Sequence, residues 1–127
     1  MGRKGQGGMS KYGNYKTTID GITFDSQKEA NRYCELKLLE KAHKISGLEL
    51  QKEFVLIPAY YEVTYGARGK PTKKCVERAC TYRADFMYYD IDDDMWVVED
   101  VKGYRTEVYK IKKKLMRYRY GIEVREV

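Results

Sequence analysis

Two stretches with helical spacing enclose a long middle segment patterned as strands, and this order constrains the fold of the 127-residue chain more than any other feature. The first stretch opens with Ser26-Gln27-Lys28-Glu29. Its serine can cap a helix while the glutamate three residues on returns toward the cap. Ala30, Tyr33, Cys34, Leu38 and Ala42 then recur at helical spacing, with Leu36 and Leu39 beside them. A helix is expected over about 27–44, ending before Gly47. A second helix is expected from a Thr106 cap to Tyr120, with Val108, Ile111, Leu115 and Tyr118 as its apolar stripe and Gly121 as its stop. Between them, 48–58, 76–89 and 95–102 are rich in Val, Ile and Tyr and read as strands, and 61–65 extends the first beyond Pro58. A basic turn at 66–74 and an acidic hairpin turn at 90–94 separate them. A short strand at 21–24 precedes the first helix, and 122–127 forms a last strand. The core order helix, strand, strand, strand, helix, strand predicts an α/β fold. Three strands form an antiparallel meander, and the last joins in parallel through a right-handed crossover, giving a mixed central sheet flanked by helices.

Composition places this fold in one domain. Hydrophobic residues make up 43% of the chain and charged residues 35%, which suits a single core. Residues 1–16 hold five glycines and four basic residues without apolar periodicity, so a flexible basic arm is expected there, followed by one domain over 17–127. No stretch approaches the roughly 18 apolar residues of a membrane span. The glycine-rich start also lacks the apolar core of a secretory signal, so a cytoplasmic protein without a membrane partner is expected. Cys34, Cys75 and Cys80 are an odd set, read as reduced thiols.

The net charge of +6 is distributed unevenly. Residues 85–103 carry seven acids against one lysine, whereas 61–84 and 104–127 are both basic. Carboxylates repel a phosphate backbone, so a protein that only grips nucleic acid gains nothing by concentrating them. A protein that brings a divalent cation to a phosphate needs both signs. Asp90, Asp92, Asp93 and Asp94 fit a solvated turn. As a calcium loop they fail, since Met95 takes the place of the turn glycine and Val101 that of the bidentate glutamate. Asp85 and Asp100 lie outside this turn. Strand alternation puts Asp100 and Lys102 on one side and Val97, Glu99 and Val101 on the other. Glu99 is thus expected to be a structural acid or one that supports the site from behind, rather than the partner of Lys102. Asp85, on the strand that returns through the acidic turn, can approach Asp100, and Glu29 supplies a third acid on the first helix. Arg68, Lys70, Lys73 and Lys74 in the basic turn, and Lys110, Lys113, Lys114 and Arg117 on the second helix, are candidates for contact with DNA phosphates. Lone His43 reads as an exposed helix-end residue, and Cys75 with Cys80 is only half of a zinc site.

Asp85, followed by Asp100-x-Lys102 on this element order, resembles the PD-(D/E)XK nuclease superfamily, and within it the small phage endonucleases and archaeal Holliday-junction resolvases. The likeness covers about 21–127. Its motifs are the Ser-x-x-Glu helix start at 26–29, the Tyr-Arg-Ala-Asp-Phe segment 82–86 and the Val-Glu-Asp-Val-Lys-Gly segment 98–103. Ala84 stands where the superfamily name has proline. The resemblance implies a restriction-endonuclease-like αβββαβ core and Mg²⁺- or Mn²⁺-dependent hydrolysis of DNA phosphodiesters. It also implies a setting in phage recombination or DNA processing inside a bacterial host cell. Asp85 and Asp100, with the Val101 carbonyl and Glu29, would hold the metal, and Lys102 would orient water or offset phosphate charge. Branched DNA, with the Holliday junction as the sharpest version, is the implied substrate, and paired cuts imply a homodimer. The competing reading is a non-catalytic DNA-binding module that kept the nuclease fold. RNA as substrate is a third.

Overall fold

A computed structural model describes residues 16–127. The basic arm expected over 1–16 lies outside the described residues apart from Lys16. The elements run β1 (Thr17–Ile19), β2 (Ile22–Phe24), α1 (Gln27–Lys41), β3 (Ile45–Ile57), β4 (Tyr60–Tyr65), β5 (Pro71–Glu77), β6 (Cys80–Asp90), β7 (Met95–Asp100), α2 (Glu107–Tyr120) and β8 (Arg125–Glu126). The protein is mixed α/β, and its central sheet has the strand order β3-β6-β7-β8. The last strand joins β7 in parallel, pairing Glu99 with Arg125 and Asp100 with Glu126. The order α1, β3, β6, β7, α2, β8 is the one expected, with a two-stranded β4–β5 ribbon inserted between the first two sheet strands. The described chain forms two compact units, one from the residues up to Glu49 with Met87–Val97, the other from Leu50–Phe86 with Val98–Val127.

In the first unit, β1 and β2 form a hairpin through Asp20 and Gly21, both left-handed (φ 55° and 77°). Consecutive left-handed residues make the tight turn that matches strand twist, and the sequence reading found only its second strand. Ser26 caps α1 by accepting from the Glu29 N–H at 3.1 Å. The buried face is Ala30, Tyr33 and Leu36, whereas Cys34 and Leu38 are exposed, which corrects the expected stripe. The hairpin selects this face: Phe24 packs on the Tyr33 ring at 5.0 Å and Asp20 accepts from its hydroxyl at 2.9 Å. The helix ends at Lys41, earlier than expected, and left-handed His43 (φ 61°), exposed to solvent, turns the chain. Gly47 is not the stop. It lies in β3 with φ 65°, and a Cβ there would meet the Trp96 ring at 3.4 Å.

In the second unit, the buried residues are Phe54, Leu56, Tyr82, Ala84, Phe86, Val98, Glu99, Asp100, Tyr109, Met116 and Val124. The ends of α2 follow the sequence reading: Thr106 accepts from the Tyr109 N–H at 3.0 Å, and Gly121 closes the helix at φ 67°. Its buried face does not. Tyr109 and Met116 are buried, while Val108, Ile111 and Tyr118 of the expected stripe are 61%, 57% and 89% exposed. The helix is thus turned by one residue, about 100°. Residues 109, 116 and 120 also share a helical face, and both tyrosines on it find a carboxylate or a backbone acceptor. Tyr109 reaches Glu126 at 2.9 Å and Tyr120 reaches the Val55 carbonyl at 2.6 Å. Such anchors outweigh a stripe defined by hydropathy alone.

The ribbon corrects the expected basic turn. Only 66–70 turns, closed by Gly66 N–H to the Lys70 carbonyl at 2.9 Å, and β5 begins at Pro71. Val63 pairs with Lys73 and Glu62 with Lys74, and all residues of both strands are exposed. The last strand is shorter than the expected 122–127.

Candidate active site

The site grows from two strand ends. In β6, Tyr82, Ala84, Phe86 and Tyr88 are buried, so the intervening Asp85 stands on the more open side of the strand. Its Oδ2 accepts from the Val101 N–H at 2.8 Å. This bond anchors Asp85 at the peptide that follows Asp100, the last residue of β7. Asp85 Oδ1 also accepts a long hydrogen bond, 3.4 Å, from Gln51 Nε2. Gln51 is left-handed (φ 54°) within β3, a conformation that costs of order 1–3 kcal/mol for a residue other than glycine.

Asp100 is only 2% exposed. Its Oδ2 accepts from the Tyr82 hydroxyl, and its Oδ1 lies 3.4 Å from Lys102 Nζ. Burial, reinforced by this carboxylate, raises the Tyr82 phenol above its ordinary range, so Tyr82 remains a donor. Lys102, with its side chain 26% exposed, points its Nζ at the Tyr109 ring, 4.3 Å from the centroid. Tyr109 in turn donates to Glu126 Oε2 at 2.9 Å, and burial together with that carboxylate raises its phenol too. Glu126 also accepts from Arg105 at 2.6 Å and from Lys113 at 3.2 Å. The Arg105 hydrogen bond first, with those of Tyr109 and Lys113, lowers its carboxyl to about 2 against the opposing effect of burial.

The structure therefore brings together Asp85, Asp100, Val101 and Lys102. Glu29 lies in the first unit, buried in the first turn of α1. Glu99, which alternation set apart from Lys102, is fully buried. Arg68 and Lys70 stand at the ribbon turn, and Lys73 and Lys74 on β5, with Lys73 Nζ 4.3 Å from the Tyr61 ring centroid. On α2, acids answer several of the cations: Lys110 pairs with Glu107 at 3.0 Å, Lys113 with Glu126 at 3.2 Å and Arg117 with Glu123 at 3.7 Å. Together with Lys114 and Arg105 they line an open cavity of about 360 Å³.

The sequence reading missed Gln51, Tyr109 and Glu126 as site residues. Glu126 lies on the expected last strand, but only its parallel pairing with Asp100 marks it as a site residue. Gln51 gave no signal, because left-handed backbone in a strand leaves no mark on a glutamine.

The family model that matches residues 9–126 carries the description Protein of unknown function (DUF1064). The chain belongs to the DUF1064 family. No curated protein and no solved structure matched it. Among the described residues of this DUF1064 protein, no three His, Cys, Asp or Glu side chains form a group that could hold a metal ion, and no helix is long and apolar enough to cross a membrane. Chemically, the DUF1064 site offers the Asp85 carboxylate, bound to the Val101 N–H, and the carboxylate of the preceding residue Asp100, beside the Lys102 ammonium. The donors are hard oxygens of the kind that Mg²⁺ and Mn²⁺ select. Mg²⁺ is commonly held by one or two carboxylates plus substrate phosphate rather than by an all-protein cage, so two acids without a cage fit it.

Proposed function

We propose that the protein is a metal-dependent DNA endonuclease of the PD-(D/E)XK type that cuts branched DNA, with four-way junctions as the preferred form. It would work as a homodimer in the cytoplasm of a bacterial host, in phage recombination or DNA processing. The observation that carries this reading is the Val101 N–H bond to Asp85, which joins the acid of β6 to the Asp100-x-Lys102 segment. The fold order α1, β3, β6, β7, α2, β8 supports it independently.

Asp85 and Asp100 hold Mg²⁺ or Mn²⁺, with the Val101 carbonyl as a further oxygen. When bound, such a cation polarises a phosphoryl oxygen and acidifies water. Val101 N–H and Tyr82 each hold one oxygen of a carboxylate and so orient the other, Asp85 Oδ1 beside Gln51 and Asp100 Oδ1 beside Lys102. Lys102 orients the attacking water or offsets charge building on the phosphate. Glu29 serves the start of α1, where an acid complements the helix dipole, a place compatible with its expected part in holding the metal. The exposed ribbon cations Arg68, Lys70, Lys73 and Lys74, with Lys110, Lys113, Lys114 and Arg117 on α2, hold the DNA backbone. A two-stranded ribbon is narrow enough to enter a major groove.

The test is a cleavage panel in Mg²⁺ and in Mn²⁺ on a four-way junction, a flap, a linear duplex and single-stranded DNA, with K102A as control. Paired cuts in the junction that need the metal and vanish in K102A are expected. Cutting of every DNA would leave a nuclease without junction preference. Tight binding with no cleavage under either metal would leave a DNA-binding module.

A further inference from the structure

We propose that Tyr109, braced by Glu126, is a positioning residue for Lys102, its ring setting where the lysine ammonium stands. This rests on the nuclease reading above. Lysine ends a flexible four-carbon stem, and Lys102 follows the end of β7 in the segment before Gly103. The Asp100 carboxylate attracts its ammonium from one side at 3.4 Å, and the Tyr109 ring faces it at 4.3 Å to the centroid. That distance lies well inside the range of cation–π attraction.

The ring is itself held at both ends. Its backbone N–H donates to Thr106 at the helix cap, 3.0 Å, and its hydroxyl donates to Glu126, 2.9 Å. Glu126 is placed by the parallel ladder, where it pairs with Asp100. Asp100, Lys102, Tyr109 and Glu126 thus form a closed circuit, three side-chain contacts shut by one strand pairing. Donation to a carboxylate also enriches the phenol ring in electrons, which strengthens its pull on a cation. The circuit accounts for the rotation of α2. Burying the Val108, Ile111, Leu115 and Tyr118 stripe would turn Tyr109 away from Lys102. Reactive groups need placement within a fraction of an ångström, and a lysine clamped between a carboxylate and a braced ring achieves it.

The experiment compares the full-length protein with Y109F, Y109L and E126Q on the substrate that the unaltered protein cuts, measuring kcat, KM and DNA affinity. A second readout is the NMR position of the Lys102 ε-methylene in the metal-free protein, assigned through K102A. An aromatic ring under that group shifts it upfield, and the shift does not depend on activity. Y109F keeps the ring, so kcat should stay within about threefold and the upfield shift should persist. Y109L should lower kcat about tenfold, with KM and DNA affinity within twofold, and should return the ε-methylene to the ordinary lysine position; tenfold corresponds to the upper part of the cation–π range. E126Q should fall between them. Unchanged kcat in Y109L, a loss confined to KM, or equal losses in Y109F and Y109L would overturn the proposal. If Y109L does not fold, Y109F and E126Q still decide it through the ε-methylene: an ordinary lysine position in the unaltered protein overturns it. A protein that shows the upfield shift yet cuts no DNA would sink the nuclease reading instead, and with it any catalytic role for this clamp.

Discussion

Four aspartates crowd the turn at 90–94, while Asp85 and Asp100 arrive singly from different strands, yet the sparse pair is the one held by backbone and buried partners. In the turn, Asp90 accepts from the Asp93 N–H at 3.0 Å and Asp92 faces Lys44 at 3.7 Å with its side chain two-thirds exposed. Those interactions shape a loop and leave the charges in water, where they are screened and inexpensive. Asp100 is buried against Tyr82 and Lys102, and Asp85 is tied to the Val101 backbone. A carboxylate kept out of water must be partnered, and those partners also orient it. Local density of acids therefore says less about a site than the backbone donors that hold them.

D100N tests that contrast most severely. Asparagine keeps the size and the hydrogen-bonding reach to Tyr82 but loses the charge, so cleavage should fall by about 10²-fold or more, with DNA affinity within twofold. Loss of folding and binding together, seen by thermal melting and fluorescence anisotropy, would make Asp100 a structural acid and erase the distinction. Alanine at Arg68, Lys70, Lys73 and Lys74 together addresses the exposed ribbon. DNA affinity should drop by about tenfold at low salt, and the slope of log affinity against log salt should flatten by about one for each phosphate that the ribbon no longer neutralises. Melting should hardly move, because exposed side chains carry little stability. An unchanged salt slope would remove the ribbon from the DNA interface.

Glu126 provides a smaller effect with a defined sign. Its carboxyl is lowered to about 2 in the folded protein from an ordinary 4.5. Its contribution to stability is therefore fully present above pH 4.5 and is lost as pH falls toward 2. E126Q should be less stable than the unaltered protein at pH 7 and should lose less between pH 5 and 2.5 in denaturant titrations. Parallel acid profiles would show that Arg105, Tyr109 and Lys113 do not stabilise its charge. The smallest change is expected in the turn itself. Asparagine at Asp92, Asp93 and Asp94 should leave cleavage within twofold and stability within about 0.5 kcal/mol, since asparagine tolerates the left-handed backbone of Asp94 (φ 54°). A large loss of cleavage there would overturn the comparison from its other side.

Much of the site was legible in the sequence because its signals are short-range or ordered. Asp100 and Lys102 lie two apart at the end of β7 and just past it, Asp85 lies on a strand of its own, and capping residues mark both helix starts. Gln51, Tyr109 and Glu126 were not legible as site residues, for different reasons. Gln51 depends on a left-handed residue inside β3, which side-chain chemistry does not announce. Tyr109 is one of thirteen tyrosines, and only its partners distinguish it. Glu126 required knowing that β8 pairs with β7 in the register that sets it opposite Asp100.

The order of helices and sheet strands, the caps at Ser26 and Thr106, the stop at Gly121 and the identity of the acids and lysine are all determined by the sequence alone. Each follows from side-chain periodicity or from a hydrogen bond within one turn, and neither needs a distant partner. Which face of each helix is buried was decided only by the tertiary structure. α1 carries its apolar residues on more than one side, and α2 offers two stripes one residue apart. The choice went to Tyr33 and Tyr109, whose rings are buried while their hydroxyls reach Asp20 and Glu126. A buried phenol needs an acceptor, and where that acceptor lies is a property of the folded chain.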